Sequence, residues 1–292
     1  RWTMLFVLVN QLVYAVIVNL GTRADKTAAD VLDYGVGFIS YSSAYLIFIL
    51  PHSIIPVSVV TGALPQLSRD AAAGDLAAVR ATLSESWRLT GLGLVLAAAG
   101  LVSLGPDLTG VVFAANGIED ARYVGYLTMA FALGLPFFAA QYVALRGFYA
   151  FEDTRTPFFL QVGIAATNVV LALGAYAVLP LRWRMVGVAL AYSLTYALGL
   201  VASAALLRRR VGQLDGARVL QTYARLGLAA APSAAAAAGV SWAVSRELGD
   251  GLAGSLVALV AGGLVLLAGY LGGARLMRVE ELELVRSLIR RR

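Results

Sequence analysis

The chain alternates long apolar stretches with short polar connections along its whole length. Eight apolar stretches lie near residues 3–21, 34–65, 86–105, 122–150, 157–180, 183–207, 222–245 and 252–275. Most have the roughly 20 residues that an α-helix needs to cross about 30 Å of hydrocarbon. A hydrophobic content of 60% agrees with burial in lipid. The pattern predicts an all-α polytopic membrane protein with eight transmembrane helices.

Positive charge is distributed unevenly between the two sets of connections. If the amino terminus and every second connection share one side, that side holds 17 of the 23 Lys and Arg residues. The positive-inside rule then places both termini in the cytoplasm. Because topology accounts for the net charge of +6, we expect no nucleic-acid partner. The absence of cysteine excludes disulfides and thiolate metal sites.

The second apolar stretch is longer than one membrane crossing requires. As a helix, residues 34–65 would span about 48 Å. Pro51, Pro56 and Pro65 predict kinks or a tilt in this helix, because proline removes a backbone donor and clashes with the preceding turn. The polar loop that follows, residues 66–85, is predicted to contain a short interfacial helix from Ala71 to Leu83.

A cluster of arginines divides the chain into unequal parts. Six predicted helices fill residues 1–207, and residues 208–221 form a basic segment that we interpret as a cytoplasmic hinge. Two helices follow in residues 222–275. Residues 276–292 place apolar side chains at helical spacing among charges, which predicts an amphipathic cytoplasmic tail on the membrane surface.

The sequence offers little for covalent chemistry. It has one His and no recognisable metal-ligand cluster, phosphate-binding glycine loop or nucleophile with a positioned base. We therefore expect neither an enzyme nor a bound metal or cofactor. An intramembrane enzyme that uses loop carboxylates is the alternative.

Polar side chains within the apolar stretches are better candidates, because polarity is costly in hydrocarbon and usually faces a cavity or a partner. Tyr41, Tyr45 and His52 project from one side of the second helix, together with Ser42. They could line an aqueous route or contact a polar headgroup. Alternatively, the hydroxyls bond nearby carbonyls and His52 fills a gap beside Pro51.

Further polar residues occur at helical spacing in the later helices. Arg146 shares a face of the fourth helix with Tyr142 and Tyr149. It could bind an anion such as a phosphate, or it could extend to water with no further role. Two other pairs are better explained by packing or hydrogen bonding between helices: Gln161 with Asn168, and Tyr192 with Tyr196.

The connection between the fourth and fifth helices has the most specific sequence. It reads Arg146-Gly-Phe-Tyr-Ala-Phe-Glu-Asp-Thr-Arg-Thr-Pro157. Asp153 and Thr154, close before a proline, predict a cap on the fifth helix with Pro157 in its first turn. The segment is predicted to be a cytoplasmic helix hairpin that is pinned by charged groups at its ends.

This segment resembles the signature of the MurJ/MviN family, the lipid II flippases of bacterial cell-wall synthesis within the multidrug/oligosaccharidyl-lipid/polysaccharide exporter superfamily. Weaker similarities are Leu50-Pro51 followed by Pro65, and the start of the sixth helix at Gly187-Val-Ala-Leu-Ala191. The matched signature positions are Arg146, Phe148, Tyr149, Ala150, Asp153, Thr154, Arg155, Thr156 and Pro157.

The resemblance implies a fold of two six-helix lobes followed by two extra helices. This chain would be the second lobe and the final pair of a longer protein, with an N-terminal lobe before Arg1. The final pair would form a groove for a polyprenyl tail. The headgroup would cross the plasma membrane between the lobes by alternating access. The implied partners are a polyprenyl-linked lipid, membrane lipids and cell-wall synthesis proteins.

The chain departs from the family at two positions. Some relatives have an Arg in the second helix where this sequence has Leu46, and some have an acidic residue in the first helix, linked to a cation site. The candidates here for holding an anionic headgroup are Arg146, Arg23 and Lys26. The alternatives are an exporter of another polyprenyl-linked oligosaccharide, a drug antiporter, and a non-transporting scaffold for cell-wall assembly.

Overall fold

The computed structural model describes residues 2–282, and this part of the chain is almost entirely helical. Single turns of 3₁₀ helix at Ala114–Asn116 and Leu181–Trp183 complete two of the connections. The α-helices of the described residues are α1 (Trp2–Ala28), α2 (Phe38–Ala72), α3 (Leu76–Val112), α4 (Ile118–Ala132), α5 (Leu135–Ala150), α6 (Arg155–Val178), α7 (Arg184–Val211), α8 (Gly216–Leu248) and α9 (Leu252–Leu276).

The number of membrane crossings follows from the length and polarity of these helices. Seven stretches of helix among the described residues are long and apolar enough to span a membrane, and the pair α4 and α5, bent by 46°, makes an eighth when it is counted as one span. The prediction of an all-α membrane protein with eight spans is confirmed.

The connections lie alternately at two ends of the bundle. The basic end, as we call it, holds the N-terminus of α1, the C-terminus of α9 and the links at residues 73–75, 151–154 and 212–215. Hydrogen bonds there join residues far apart in sequence: Arg80 donates to the carbonyl of Val211, and Ser84 donates to Asp215. The opposite end holds the links at residues 29–37, 113–117, 179–183 and 249–251.

The prediction of one continuous helix over residues 122–150 is wrong, because the chain bends between α4 and α5. Pro136 has no N–H to continue the backbone ladder, and its ring clashes with the preceding turn. The hydroxyl of Ser193 on α7 donates to the carbonyl oxygens of Ala130 at 2.7 Å and Phe131 at 3.1 Å. Gly134 permits this approach, since an added Cβ would lie 2.6 Å from the Cα of Ser193.

The predicted interfacial helix from Ala71 to Leu83 is also wrong. α2 continues to Ala72 and α3 begins at Leu76, so only residues 73–75 link them. Asp75 caps α3 by accepting the backbone N–H groups of Ala77 and Ala78. Both helices extend into the basic end, where Leu67 of α2 and Leu83 of α3 are buried in its core.

The basic segment 208–221 is mostly helical rather than a separate hinge. α7 continues to Val211 and α8 begins at Gly216, which leaves residues 212–215 as the link. Gly212 has a φ of +83°, a left-handed conformation that suits glycine. Arg208, Arg209 and Arg210 are exposed in the last turn of α7 and Val211 after them is buried, so the predicted segment begins inside this helix.

The final helix pair packs on α3. The hydroxyl of Tyr270 on α9 donates to the carbonyl of Leu92 at 2.6 Å, and that of Tyr223 on α8 donates to the carbonyl of Trp87 at 3.1 Å. Glu281, after α9, forms a buried ion pair with Arg88 of α3. The predicted tail over residues 276–292 lies outside the described residues from position 283 onward.

Close packing of α3 on α4 depends on Gly125, which leads to a test of stability. In a Gly125→Ala variant the new Cβ would lie 2.6 Å from the Cα of Pro106, a backbone atom that cannot rotate away. We expect a loss of about 1–3 kcal/mol, measured as a lower Tm in detergent. Gly263→Ala on α9 is the control, because its Cβ meets nothing within 4 Å. Equal Tm values for the two variants would contradict the account.

Candidate functional site

The signature segment forms a tight turn between α5 and α6 at the basic end. Glu152 has a φ of +57°, the left-handed conformation that reverses the chain. The N–H groups of Glu152 and Asp153 return to the carbonyls of Tyr149 and Phe148 at 2.9 and 3.1 Å. Phe148 is buried in the core of the basic end. The turn is therefore held by the interior of the bundle as well as by its own hydrogen bonds.

Asp153 is the central residue of this turn. Its carboxylate accepts the backbone N–H groups of Arg155 at 3.1 Å and Thr156 at 3.0 Å, and the Thr156 hydroxyl at 2.8 Å. α6 begins at Arg155, with Pro157 in its first turn. The predicted cap is thus present in the structure, with Asp153 as the capping side chain.

Asp153 also joins the turn to a helix far along the chain. Arg210 at the end of α7 donates to the Asp153 carboxylate at 2.6 Å. The Cζ of Arg210 lies 4.7 Å from the ring centroid of Phe151. Sequence reasoning missed this partner. The run of three arginines was visible, but nothing in a linear pattern indicates which of them reaches a residue 57 positions away.

The surroundings of Asp153 favour its charged form. Partial burial by itself raises the pKa of this carboxyl, but the hydrogen bonds from Thr156 and the charge of Arg210 outweigh it and lower the pKa below the ordinary value. The stabilisation is fully present above the unfolded-state pKa of about 3.9. It is lost as the pH falls through the lower pKa of the folded state.

Arg146 lies on α5, one helical turn before the signature turn. Its side chain faces two aromatic rings of the same helix. It donates to the Tyr142 hydroxyl at 2.6 Å, and its Cζ lies 4.6 Å from the centroid of Tyr142 and 5.6 Å from that of Tyr149. The side chain is half-buried. The guanidinium is therefore held against two aromatic faces, at the basic end of the bundle.

Tyr41, Tyr45 and His52 lie inside the bundle. Tyr41 is 8% exposed and His52 5% exposed. The His52 ring is 4.3 Å from that of Phe138 and 5.1 Å from that of Tyr142. This placement favours the packing alternative over the lining of an open cavity. The stripe forms part of an aromatic cluster with Phe48, Phe131, Phe138, Tyr192 and Tyr196.

The remaining candidate cations are remote from Arg146. Arg23 and Lys26 are exposed in the last turns of α1, at the opposite end of the bundle. The structure thus does not bring the three predicted anion contacts together. Gln161 behaves as expected for a contact between helices, because it donates to Asn10 of α1 at 2.9 Å.

The exposed surface of the bundle differs in polarity from face to face. The exposed face of α1 includes Gln11 and Asn19, and that of α2 includes Ser53, Ser58 and Thr61. Between residues 157 and 207, every fully exposed residue of α6 and α7 is apolar or glycine. Leu46 is 64% exposed on α2.

Sequence reasoning also missed polar contacts that attach α3 to the final pair. Asp107 is buried near the opposite end of α3 and accepts a hydrogen bond from Ser241 of α8 at 2.6 Å. Arg122 and Asp250 approach to 3.4 Å beside it. Within residues 2–282, no group of three or more His, Cys, Asp or Glu residues could hold a metal ion.

A bundle of eight apolar spans with charged ends and one polar exposed face defines a polytopic α-helical membrane protein. The sequence model of one family, described as lipid II flippase MurJ, matches residues 1–262. The chain therefore belongs to the MurJ family, and it is a multi-pass protein of the bacterial plasma membrane.

Individual relatives agree with this assignment. A probable lipid II flippase MurJ of Rhizobium meliloti (strain 1021) is 32% identical over 129 residues, which cover 44% of this chain and 24% of that protein. A probable lipid II flippase MurJ of Thermotoga maritima is 29% identical over 184 residues, which cover 62% and 36%.

A solved structure gives the same fold. It is titled lipid II flippase MurJ, inward closed conformation, and it matches with a TM-score of 0.60 and 21% identity over 89% of this chain. The match covers 52% of the solved chain, so this chain spans about half the length of that relative.

The ion pair between Asp153 and Arg210 can be tested by a double-mutant cycle. We expect Asp153→Ala to lower stability by about 1–2 kcal/mol, because it removes both the helix cap and the pair. Asp75→Ala is the matched control, since Asp75 caps α3 without an ion pair among the described residues. The measurement is the Tm in detergent at neutral pH.

The cycle separates the cap from the pair. Arg210→Ala should destabilise the parent protein but have little further effect in the Asp153→Ala background. An Arg210→Ala effect of the same size in both backgrounds would contradict the contact. The difference between Asp153→Ala and the parent should also shrink as the pH falls below about 4, where the carboxylate becomes protonated.

Proposed function

We propose that this chain forms the second lobe and the final helix pair of a transporter that moves lipid II from the cytoplasmic to the outer leaflet. The proposal assigns the basic end to the cytoplasm, in keeping with the positive-inside rule. It rests on membership of the MurJ family together with the polarity of one exposed face of the bundle. The transport involves alternating access and no covalent chemistry.

The unequal polarity of the exposed faces is the structural observation that supports transport. Polar side chains facing lipid are costly, so an exposed polar face within a membrane bundle normally borders a cavity or another protein segment. The face formed by α1 and α2 exposes Gln11, Asn19 and Thr61 among apolar residues, whereas α6 and α7 expose only apolar residues and glycine along their spans. We infer that α1 and α2 face an N-terminal lobe across the headgroup pathway.

The charged residues fall into two roles in this proposal. Arg23 and Lys26 lie exposed at the outer end of α1, where they can attract the pyrophosphate of an arriving headgroup. Arg146 is covered by the rings of Tyr142 and Tyr149 at the cytoplasmic end, so it positions the signature turn. Tyr41, Tyr45 and His52 stiffen the interior of the moving lobe.

The final helix pair fits a long apolar tail. α8 and α9 expose apolar side chains along their spans, among them Leu228, Val260 and Leu264. Their contact with α3 through Tyr223 and Tyr270 keeps this surface beside the lobe. We propose that the polyprenyl chain lies along this surface while the headgroup crosses.

The proposal is tested by placing one negative charge on each kind of exposed face. In the full-length protein, Leu46→Glu should insert and fold in near-normal amounts but flip labelled lipid II at least tenfold more slowly in liposomes, because the carboxylate repels the pyrophosphate. The matched variant is Val170→Glu on α6, since Leu46 is 64% and Val170 68% exposed. Its charge would face lipid at a cost of about 2.5–3.5 kcal/mol, so folded protein should be lost.

One control variant and two contradicting outcomes make the test interpretable. Leu46→Gln should flip normally, which shows that charge and not size is responsible. If Leu46→Glu is lost from the membrane like Val170→Glu, α2 faces lipid and the proposed pathway is wrong. If the parent protein flips another polyprenyl-linked oligosaccharide but not lipid II, or flips neither, the substrate assignment fails in favour of a related exporter or a scaffold.

A further inference from the structure

A groove of about 660 Å³ runs between α6 and α7 in the half of the bundle nearest the basic end. It is separate from the polar face of α1 and α2 and from the final helix pair. Among the residues that line it are Arg155, Phe159, Gly163 and Thr167 of α6 and Thr195 and Leu198 of α7.

The hydroxyl groups in the groove are already used by the protein. Thr167 donates to the carbonyl of Gly163 at 2.9 Å, and Thr195 donates to that of Ala191 at 2.7 Å. Thr156 donates to Asp153 at 2.8 Å. The walls therefore present hydrocarbon rather than hydrogen-bonding groups, which suits an acyl chain and does not suit a polar ligand.

Arg155 lies at the mouth of the groove and is exposed. Its Cζ is 5.8 Å from the ring centroids of both Trp2 and Phe159. The neighbouring carboxylate, Asp153, is engaged by Arg210 and by the first N–H groups of α6. Within residues 2–282 no acidic side chain pairs with Arg155, so its guanidinium is available to an anion at the membrane surface.

The length of the groove matches one leaflet. Its wall follows α6 from Arg155 to Thr167, about 18 Å at the rise of an α-helix. Half of a hydrocarbon core of about 30 Å is about 15 Å. A chain whose headgroup lies at Arg155 would thus end near the middle of the membrane.

The groove opens on the face that we assign to lipid. Val170 on α6 is 68% exposed, and Leu194 and Leu198 on α7 are 52% and 51% exposed. A second protein segment with polar contacts would find no partners on this surface. The apolar walls, the basic mouth, the length and the lipid-facing position of the groove all fit an apolar chain that carries an anionic group at one end.

We propose that the α6–α7 groove holds an acyl chain of an anionic phospholipid from the leaflet at the basic end, with its phosphate bound by Arg155. The lipid is a retained structural ligand and not the transported substrate. Because Arg155 follows Asp153 in the signature turn, the bound lipid would brace the turn against α6 and α7. The proposal does not depend on lipid II transport.

Lipid retention by the purified full-length protein tests this site. Native mass spectrometry would compare the binding of added phosphatidylglycerol with that of zwitterionic phosphatidylcholine. We expect Arg155→Gln to weaken phosphatidylglycerol binding about fivefold, to the level of phosphatidylcholine, because one basic residue near the surface contributes about that much. Gly163→Leu should weaken binding of both lipids about tenfold, since its side chain displaces about two methylene groups.

Both variants have matched controls in the same region of the protein. The Cβ of Gly163 meets nothing within 4 Å, so the substitution fills the groove without disturbing the fold. Gly174→Leu places the same side chain on α6 outside the groove, again with nothing within 4 Å of its Cβ. Arg209→Gln removes an exposed charge from the basic end. Neither control should alter lipid binding.

Two results would overturn the proposal. One is undiminished phosphatidylglycerol binding by both Arg155→Gln and Gly163→Leu. The other is that equimolar polyprenyl phosphate displaces phosphatidylglycerol and that Gly163→Leu prevents this displacement. That result would make the groove a site for the substrate tail. A protein that flips lipid II and gives the first result contradicts this inference alone. The second result would also overturn the assignment of the polyprenyl tail to the surface of α8 and α9, while lipid II transport itself would stand.

Discussion

Hydrocarbon offers no hydrogen-bond partners, and the structure follows from this constraint. Polar groups within the spans are therefore stabilised by partners inside the protein, and Gln141 is an exception, because its buried side-chain amide has no hydrogen-bond partner among the described residues. The bend between α4 and α5 illustrates the consequence. Pro136 interrupts the helix, and the carbonyls near the bend are satisfied by Ser193 from α7. Gly134 lets α7 approach closely enough for that contact. A break in one helix thus requires a specific residue on another.

The same constraint sorts side chains between the interior and the two kinds of surface. Gln161 and Asn10 satisfy each other between α6 and α1. The aromatic cluster around Phe131 fills the interior between α2, α4, α5 and α7. Exposed polar side chains within the spans, such as Gln11 and Asn19, are concentrated on the face of α1 and α2. In the proposed transporter this face borders the headgroup pathway, and the apolar faces of α6 to α9 remain for lipid.

At the basic end, where water is available, ion pairs and hydrogen bonds to charged groups join the helices. Asp153 both caps α6 and binds Arg210 of α7, so one carboxylate connects three helices through the signature turn. Arg88 and Glu281 similarly attach the end of α9 to α3. These contacts link parts of the lobe that would have to move together if it rocks as a unit.

The sequence by itself determined the number of spans, the uneven distribution of charge and the cap before Pro157, because these depend on local composition and spacing. It did not determine that residues 122–150 bend, since a single proline is tolerated in many membrane helices. It also left open whether Tyr41 and His52 face a cavity. Helical periodicity specifies which residues share a face, whereas only packing against α5 and α7 decides what that face meets. The pairing of Asp153 with Arg210 was likewise decided by tertiary structure, because it joins chain segments that no local interaction brings together.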